Sequence, residues 1–245
     1  MPILRLSELN WRRALAEVAL IFIGITLALY FDNWNEERKE RALERQLLVE
    51  MRDDLAETRF DLTRDIEALE LRQQILYDLQ AELNAGVIPD EDWASRLYLT
   101  QGGARLFAKD SAYRALMSQG LGVLSDTNLR KGLTDLYGLR VKRIEVFEGL
   151  RDVFQQDQFM PFFSEVMRVA PEWMETALAD HDRLPGLERV EPISGEALAA
   201  DPRLPLMLFR ASAGMRSVLS FYELALADID KLLPVIDKAL ESSAD

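Results

Sequence analysis

The sequence predicts an all-α protein, in which an N-terminal transmembrane helix continues into the long first helix of an elongated antiparallel helical bundle. Three observations predict it. Residues 14–31 are apolar almost without interruption. Leucine then recurs in heptad register at Leu48, Leu55, Leu62, Leu69, Leu76 and Leu83. Nowhere do apolar and polar residues alternate over the length of a strand. The expected organisation is a short tail over 1–13, a transmembrane helix over 14–34, a helical bundle domain over 35–241 and a frayed polar tail over 242–245.

The apolar stretch comes first. At about 1.5 Å per residue, Ala14 to Phe31 forms a helix of roughly 27 Å, close to a hydrocarbon core of about 30 Å. Trp11 and Trp34 flank it, with Tyr30 and Phe31 just inside. Aromatic residues at both ends suit a helix that crosses two membrane interfaces. A cleaved signal peptide needs small residues just after the apolar run, but Leu27 is followed by Ala-Leu-Tyr-Phe-Asp. The nearest Ala-x-Ala, Ala14-Leu15-Ala16, precedes the run. A retained anchor is therefore the expectation, with a buried helix of a soluble core as the competing reading.

Orientation is less sharply written. Arg5, Arg12 and Arg13 precede the span, while Arg38, Lys39, Arg41 and Arg45 follow it. Counting lysine and arginine alone favours neither side. A short leading tail suits cytoplasmic retention. The expected location is the bacterial inner membrane, crossed once, with the bulk of the chain periplasmic.

Within the span, Glu17, Ile21, Gly24 and Ala28 share a helical face. Gly24-x-x-x-Ala28 lets two helices approach closely, and Glu17 is better placed against a partner than against lipid. The alternative is that Glu17 snorkels to the interface. Trp11, Asn33, Trp34 and Asn35 are expected to anchor at headgroup depth or to dock a membrane partner.

No proline lies between Pro2 and Pro89, and Gly24 is the only glycine before Gly86. The membrane helix is free to continue outward. Met51, Ile66, Ile75 and Leu79 widen its leucine stripe. The residues three before each leucine are Arg45, Arg52, Arg59, Ile66, Gln73 and Gln80. That mixture argues against a strict two-stranded zipper and for packing into a bundle. Asp53, Asp54, Glu57, Asp61 and Asp65 read as a solvated flank rather than a cation site.

Asn84-Ala85-Gly86 is a helix stop, and Pro89-Asp90 restarts the chain. A second helical region is expected over 90–119, with a break at Gly102-Gly103. Ser125 or Asp126 caps a third, which runs towards Gln158. Phe159-Met160-Pro161-Phe162-Phe163 reads as a break. Its aromatic weight predicts either core at a kink or an apolar partner patch of Phe159, Met160, Phe162 and Phe163. Pro171 opens a short helix with Trp173 and Met174. Six Pro and Gly residues between His181 and Pro205 predict loop, with a short helix near 195–200. The last helix is expected over 204–240, with Pro234 as its kink.

Charge and composition exclude several functions. The 245 residues carry a net charge of −13. Arg5, Arg12 and Arg13 cancel Glu8, Glu17 and Asp32, so this whole excess falls after Asn35. An acidic domain argues against nucleic acid as a partner. There is no cysteine and a single histidine, His181, between two aspartates. One histidine builds no Ser-His-Asp array and is a poor metal site. Gly102-Gly103 and Gly120-x-Gly122 are turn glycines with no preceding strand, not phosphate loops. No catalytic constellation emerges, so the expectation is a non-enzyme without cofactor or metal.

Two segments carry a resemblance. The first joins Gly24-Ile25-Thr26-Leu27-Ala28-Leu29 to Asn33-Trp34-Asn35-Glu36-Glu37-Arg38-Lys39-Glu40-Arg41. The second is Ser111-Ala112-Tyr113-Arg114-Ala115-Leu116-Met117-Ser118-Gln119-Gly120, followed by Leu129-Arg130 and Tyr137. Together they resemble the IGI-x-x-AL…NWNE-x-RK-x-R and SAYE-x-LKSSG signatures of a family of uncharacterised bacterial single-pass membrane proteins. Ala16-Glu17 stands where that family has Gly-Glu. The resemblance implies an anchor and a helical fold, and it implies no activity.

The expected role is interaction: an accessory protein that associates with itself or with a larger membrane complex. Its expected partners are the lipid bilayer and that assembly. The alternative is a sensor-like bundle that binds a small ligand outside the cytoplasm and signals through a partner.

Overall fold

The computed structural model describes residues 11–170 and 189–242, apart from the side chains of residues 12–14. The leading tail with Arg5, the expected helix at Trp173 and Met174, His181 and the last three residues lie outside the described residues.

The protein is all-α, and one helix dominates it. Helix α1 runs from Trp11 to Asn84 without a break. With no proline and one glycine, nothing in its sequence interrupts the hydrogen-bond ladder, and it extends roughly 110 Å. It changes character along its length. Residues 15–42 are exposed throughout, and burial begins at Leu43. From there Leu48, Leu55, Leu62, Leu69 and Leu76 are buried in heptad register, with Leu47, Met51 and Leu79 beside them. The helix stops in a Schellman turn. Gly86 takes a φ of +82°, and the Val87 and Gly86 amides donate to the carbonyls of Glu82 and Leu83 at 3.0 and 3.1 Å.

Helix α2 (Glu91–Leu99) starts at an Asp90 cap, whose side chain accepts from the Trp93 amide. Arg96 then grips Glu82 of α1 with two hydrogen bonds, at 2.7 and 2.9 Å. The hydrogen bond from Arg96 holds the Glu82 carboxyl below its ordinary range. The break expected at Gly102-Gly103 is wider than two residues. Positions 100–110 are irregular, and α3 (Ser111–Gln119) follows as a separate helix.

Helix α4 (Thr127–Thr134) is capped by Asp126, which accepts from the Asn128 and Leu129 amides. A wide π turn at Asp135–Arg140 leads into α5 (Val141–Phe154). A second at Gln155–Phe159 leads into α6 (Met160–Val166). The expected break at Phe159–Phe163 is therefore corrected. The helical path continues because Pro161 falls in the first turn of α6, where a missing N–H is tolerated.

Strand β1 (Met167–Val169) pairs antiparallel with β2 (Val190–Pro192), Arg168 opposite Glu191. This ladder is too short to show as alternation in sequence. Ser194 caps α7 (Gly195–Ala200), with the carbonyl of Pro89 packed against Gly195. A Cβ there would lie 2.2 Å from that oxygen, so only glycine fits. Helix α8 (Arg203–Ser242) passes through Pro234 and packs antiparallel on α1. Gln73 meets Ser212 at 2.6 Å, Arg59 meets Asp230 at 2.6 Å, and Arg45 reaches the Leu240 carbonyl at 3.4 Å. The core lies along this seam, closed by α2 to α6.

Candidate functional site

The most distinctive surface is the first third of α1. Leu20, Ile21, Phe22, Ile23, Ile25, Leu27 and Leu29 are all more than half exposed. This helix is long and apolar enough to cross a membrane, and none of its apolar window is covered by the rest of the chain. Its polar groups are few. The Thr26 hydroxyl donates back to the Phe22 carbonyl at 2.8 Å, which satisfies it within the helix. Trp11 and Trp34 bracket the run, 66% and 52% exposed. The Arg38 guanidinium lies 5.8 Å from the centre of the Trp34 ring. Arg41 pairs with Glu37 one turn further on.

At about 100° per residue, Glu17, Gly24, Ala28 and Asn35 fall on one stripe of α1, and Asn33 and Trp34 fall off it. Among the described residues, and apart from the adjoining backbone of α1 itself, nothing lies within 4 Å of a Cβ placed on Gly24. The stripe is open surface.

The aromatic segment is different. Phe159, Phe162 and Phe163 are buried, at 1%, 4% and 6% exposure, and Met160 is half-buried. The partner-patch expectation is corrected for the three phenylalanines, which are core; Met160 lies outside that cluster. Phe159 stacks on Phe163 at 6.1 Å and meets Phe154 edge-on, while Tyr98 packs on Phe163 at 5.8 Å. The wide turn just before Met160 keeps the helix going and holds this run against the core.

Two polar anchors were not visible in sequence. Asp54 of α1 is the cap that α3 lacks. Its Oδ2 accepts from the Ala112 amide at 2.8 Å and from the Ser111 hydroxyl at 2.8 Å. One turn on, Thr58 Oγ1 accepts from the Lys109 amide at 3.0 Å, and the Tyr137 hydroxyl donates to the Lys109 carbonyl at 2.8 Å. Tyr113 stacks on Tyr137 with ring centres 4.5 Å apart. Burial, with Asp54 and Asp110 nearby, keeps the Tyr137 phenol protonated far above its ordinary range. The family-like segment is thus the part of the chain docked onto α1. Asp54 is no solvated flank, although its neighbour Asp53 remains one.

The second anchor is Glu148, 3% exposed on α5. Its Oε1 accepts from the Leu106 amide at 2.8 Å and from the Tyr222 hydroxyl of α8. Burial and this bond push the Tyr222 phenol upward. Arg151 donates to the Ala104 carbonyl at 2.9 Å. These contacts fasten the irregular 100–110 segment to α5 and α8. They have the character of structural ties: Glu148 Oε1 already holds a backbone and a phenolic donor, and the Ala104 carbonyl holds the Arg151 guanidinium.

Among the described residues no group of three or more Asp, Glu, His or Cys side chains is placed to hold a metal ion. Comparison with protein-family models, with curated proteins and with solved structures finds no match for this chain.

Proposed function

We propose that the chain is a membrane-anchored, non-catalytic interaction protein. In this reading α1 crosses the bacterial inner membrane once, and its outer two-thirds become the first helix of an elongated antiparallel bundle on the periplasmic side. The protein works as an accessory subunit that associates with itself or with a larger membrane complex. The observation that carries this is the uncovered apolar surface of residues 15–31, continuous with a helix whose other end is core. A soluble helix would bury such a face, and a lipid-facing one has no need to. The stripe of Glu17, Gly24 and Ala28 supports association within the membrane, because a carboxylate and two small residues gain from a facing helix what lipid does not give. Asn35 extends the same stripe to the interface.

Gentle-detergent purification of the full-length protein, alongside Gly24→Leu, tests it by native sizing and mass spectrometry. The expected result is an oligomer or a co-purifying membrane complex in wild type that Gly24→Leu loses. Lone monomers in both samples would overturn the association reading.

A further inference from the structure

Near the far end of α1, a groove of about 490 Å³ opens between α1 and α8. That size is typical of small-molecule sites. Leu76 and Leu208, each 1% exposed, form its floor, and Tyr77 and Phe209 rise beside it. Phe209 is 67% exposed, a large apolar ring kept in water. Among the described residues no carboxylate lines the groove, and Arg216 is its only charged side chain.

Arg216 is unusual in this chain. Acidic residues outnumber basic ones 42 to 29, and arginines elsewhere in the packed region, such as Arg59, Arg96, Arg140 and Arg203, are ion-paired. Arg216 has no carboxylate within 4.0 Å among the described residues. Its guanidinium lies 5.7 Å from the Tyr77 ring centre and donates to the Tyr77 hydroxyl. That hydroxyl, by accepting, keeps its own proton to donate. Ser212, one turn before Arg216 on α8, accepts from Gln73 Nε2 at 2.6 Å, which leaves its own proton free to donate. A cation and two hydroxyl donors therefore converge above an apolar floor, with nothing anionic to receive them.

We propose that this groove binds a small organic anion, a monocarboxylate with an aromatic or compact apolar body. The carboxylate pairs with Arg216 and accepts from Ser212 and Tyr77, while the body lies on Leu76 and Leu208 against Phe209. A cation meets Arg216 and no carboxylate here, and a bare inorganic anion gains nothing from the floor. The proposal is independent of association, since a lone monomer keeps the groove.

The test is fluorine NMR on the full-length protein in lipid nanodiscs, corrected for empty discs. The probes are 4-(trifluoromethyl)phenylacetate and its neutral amide. The acid is expected to bind about tenfold more tightly than the amide, the scale of one charge-assisted contact. Arg216→Gln should abolish that preference, and Phe209→Ser should weaken both probes. Arg210→Gln, which alters a cation bonded to Gln158 outside the groove, should leave the preference intact. Equal binding of acid and amide, no binding at millimolar probe, or an undiminished preference in Arg216→Gln would each overturn the proposal.

Discussion

Glu148 is a carboxylate in the core, and its surroundings explain why it is tolerated. One oxygen takes both the Leu106 amide and the Tyr222 hydroxyl, so the charge is spread over two donors that would otherwise be stranded. Removing the acceptor strands both. Glu148→Ala is expected to cost about 3 kcal/mol, whereas Glu148→Gln, which keeps Oε1, should cost about 1 kcal/mol. Denaturant unfolding of the full-length protein in detergent, followed through buried Trp93, measures the difference. Equal losses for the two variants would mean that packing, not acceptance, is what Glu148 supplies. Single residues of this kind were not legible in the sequence. A glutamate in an amphipathic helix reads as surface unless its partners are known, and Leu106 and Tyr222 lie on other elements. For Glu17 and Gly24 the shared helical face was legible, because it depends only on the helix that contains them.

At the scale of elements, local chemistry decided what could be read. The C-terminus of α1, the restart at Pro89-Asp90, a cap at Ser125 or Asp126, which the structure assigns to Asp126, and the short helix near 195–200 are written in a few adjacent residues, and they occur where the sequence puts them. The path through Phe159–Phe163 was misread because a π turn leaves no mark in composition, and Pro161 looks the same at a break as in a first turn. The cap of α3 left no local signal for another reason: it is supplied by α1. Asp53 and Asp54 are adjacent acids on one helix, but only Asp54 faces α3, while Asp53 pairs with Arg52 in water. Asp54→Ala is therefore expected to destabilise the protein by about 1 kcal/mol, as for loss of an N-cap. Asp53→Ala should change stability by less than about 0.5 kcal/mol. Chemical unfolding of the two variants side by side tests it, and similar losses would remove Asp54 from its capping role.

At the scale of the whole molecule, one continuous helix joins an exposed apolar run to the packed core. If α1 emerges at Asn35, about 50 further residues carry it roughly 75 Å from the interface, so the groove beside Tyr77 and Phe209 sits far out from the bilayer. Which side it sits on follows from how the chain inserts. Lysine and arginine are balanced across the span; after it, Arg38 stacks on Trp34 and Arg41 is bonded to Glu37. The absence of cysteine makes the orientation directly measurable. A single cysteine at exposed Glu67, on the outer face of α1, should react with a membrane-impermeant maleimide in cells whose outer membrane alone is permeabilised. Ser7→Cys should react only after the inner membrane is broken. The reverse pattern would place the packed helices in the cytoplasm, where the proposed groove would meet cytosolic acids. Reaction of both cysteines before lysis would mean that α1 does not cross the membrane, and the exposed apolar run would then need a protein to cover it.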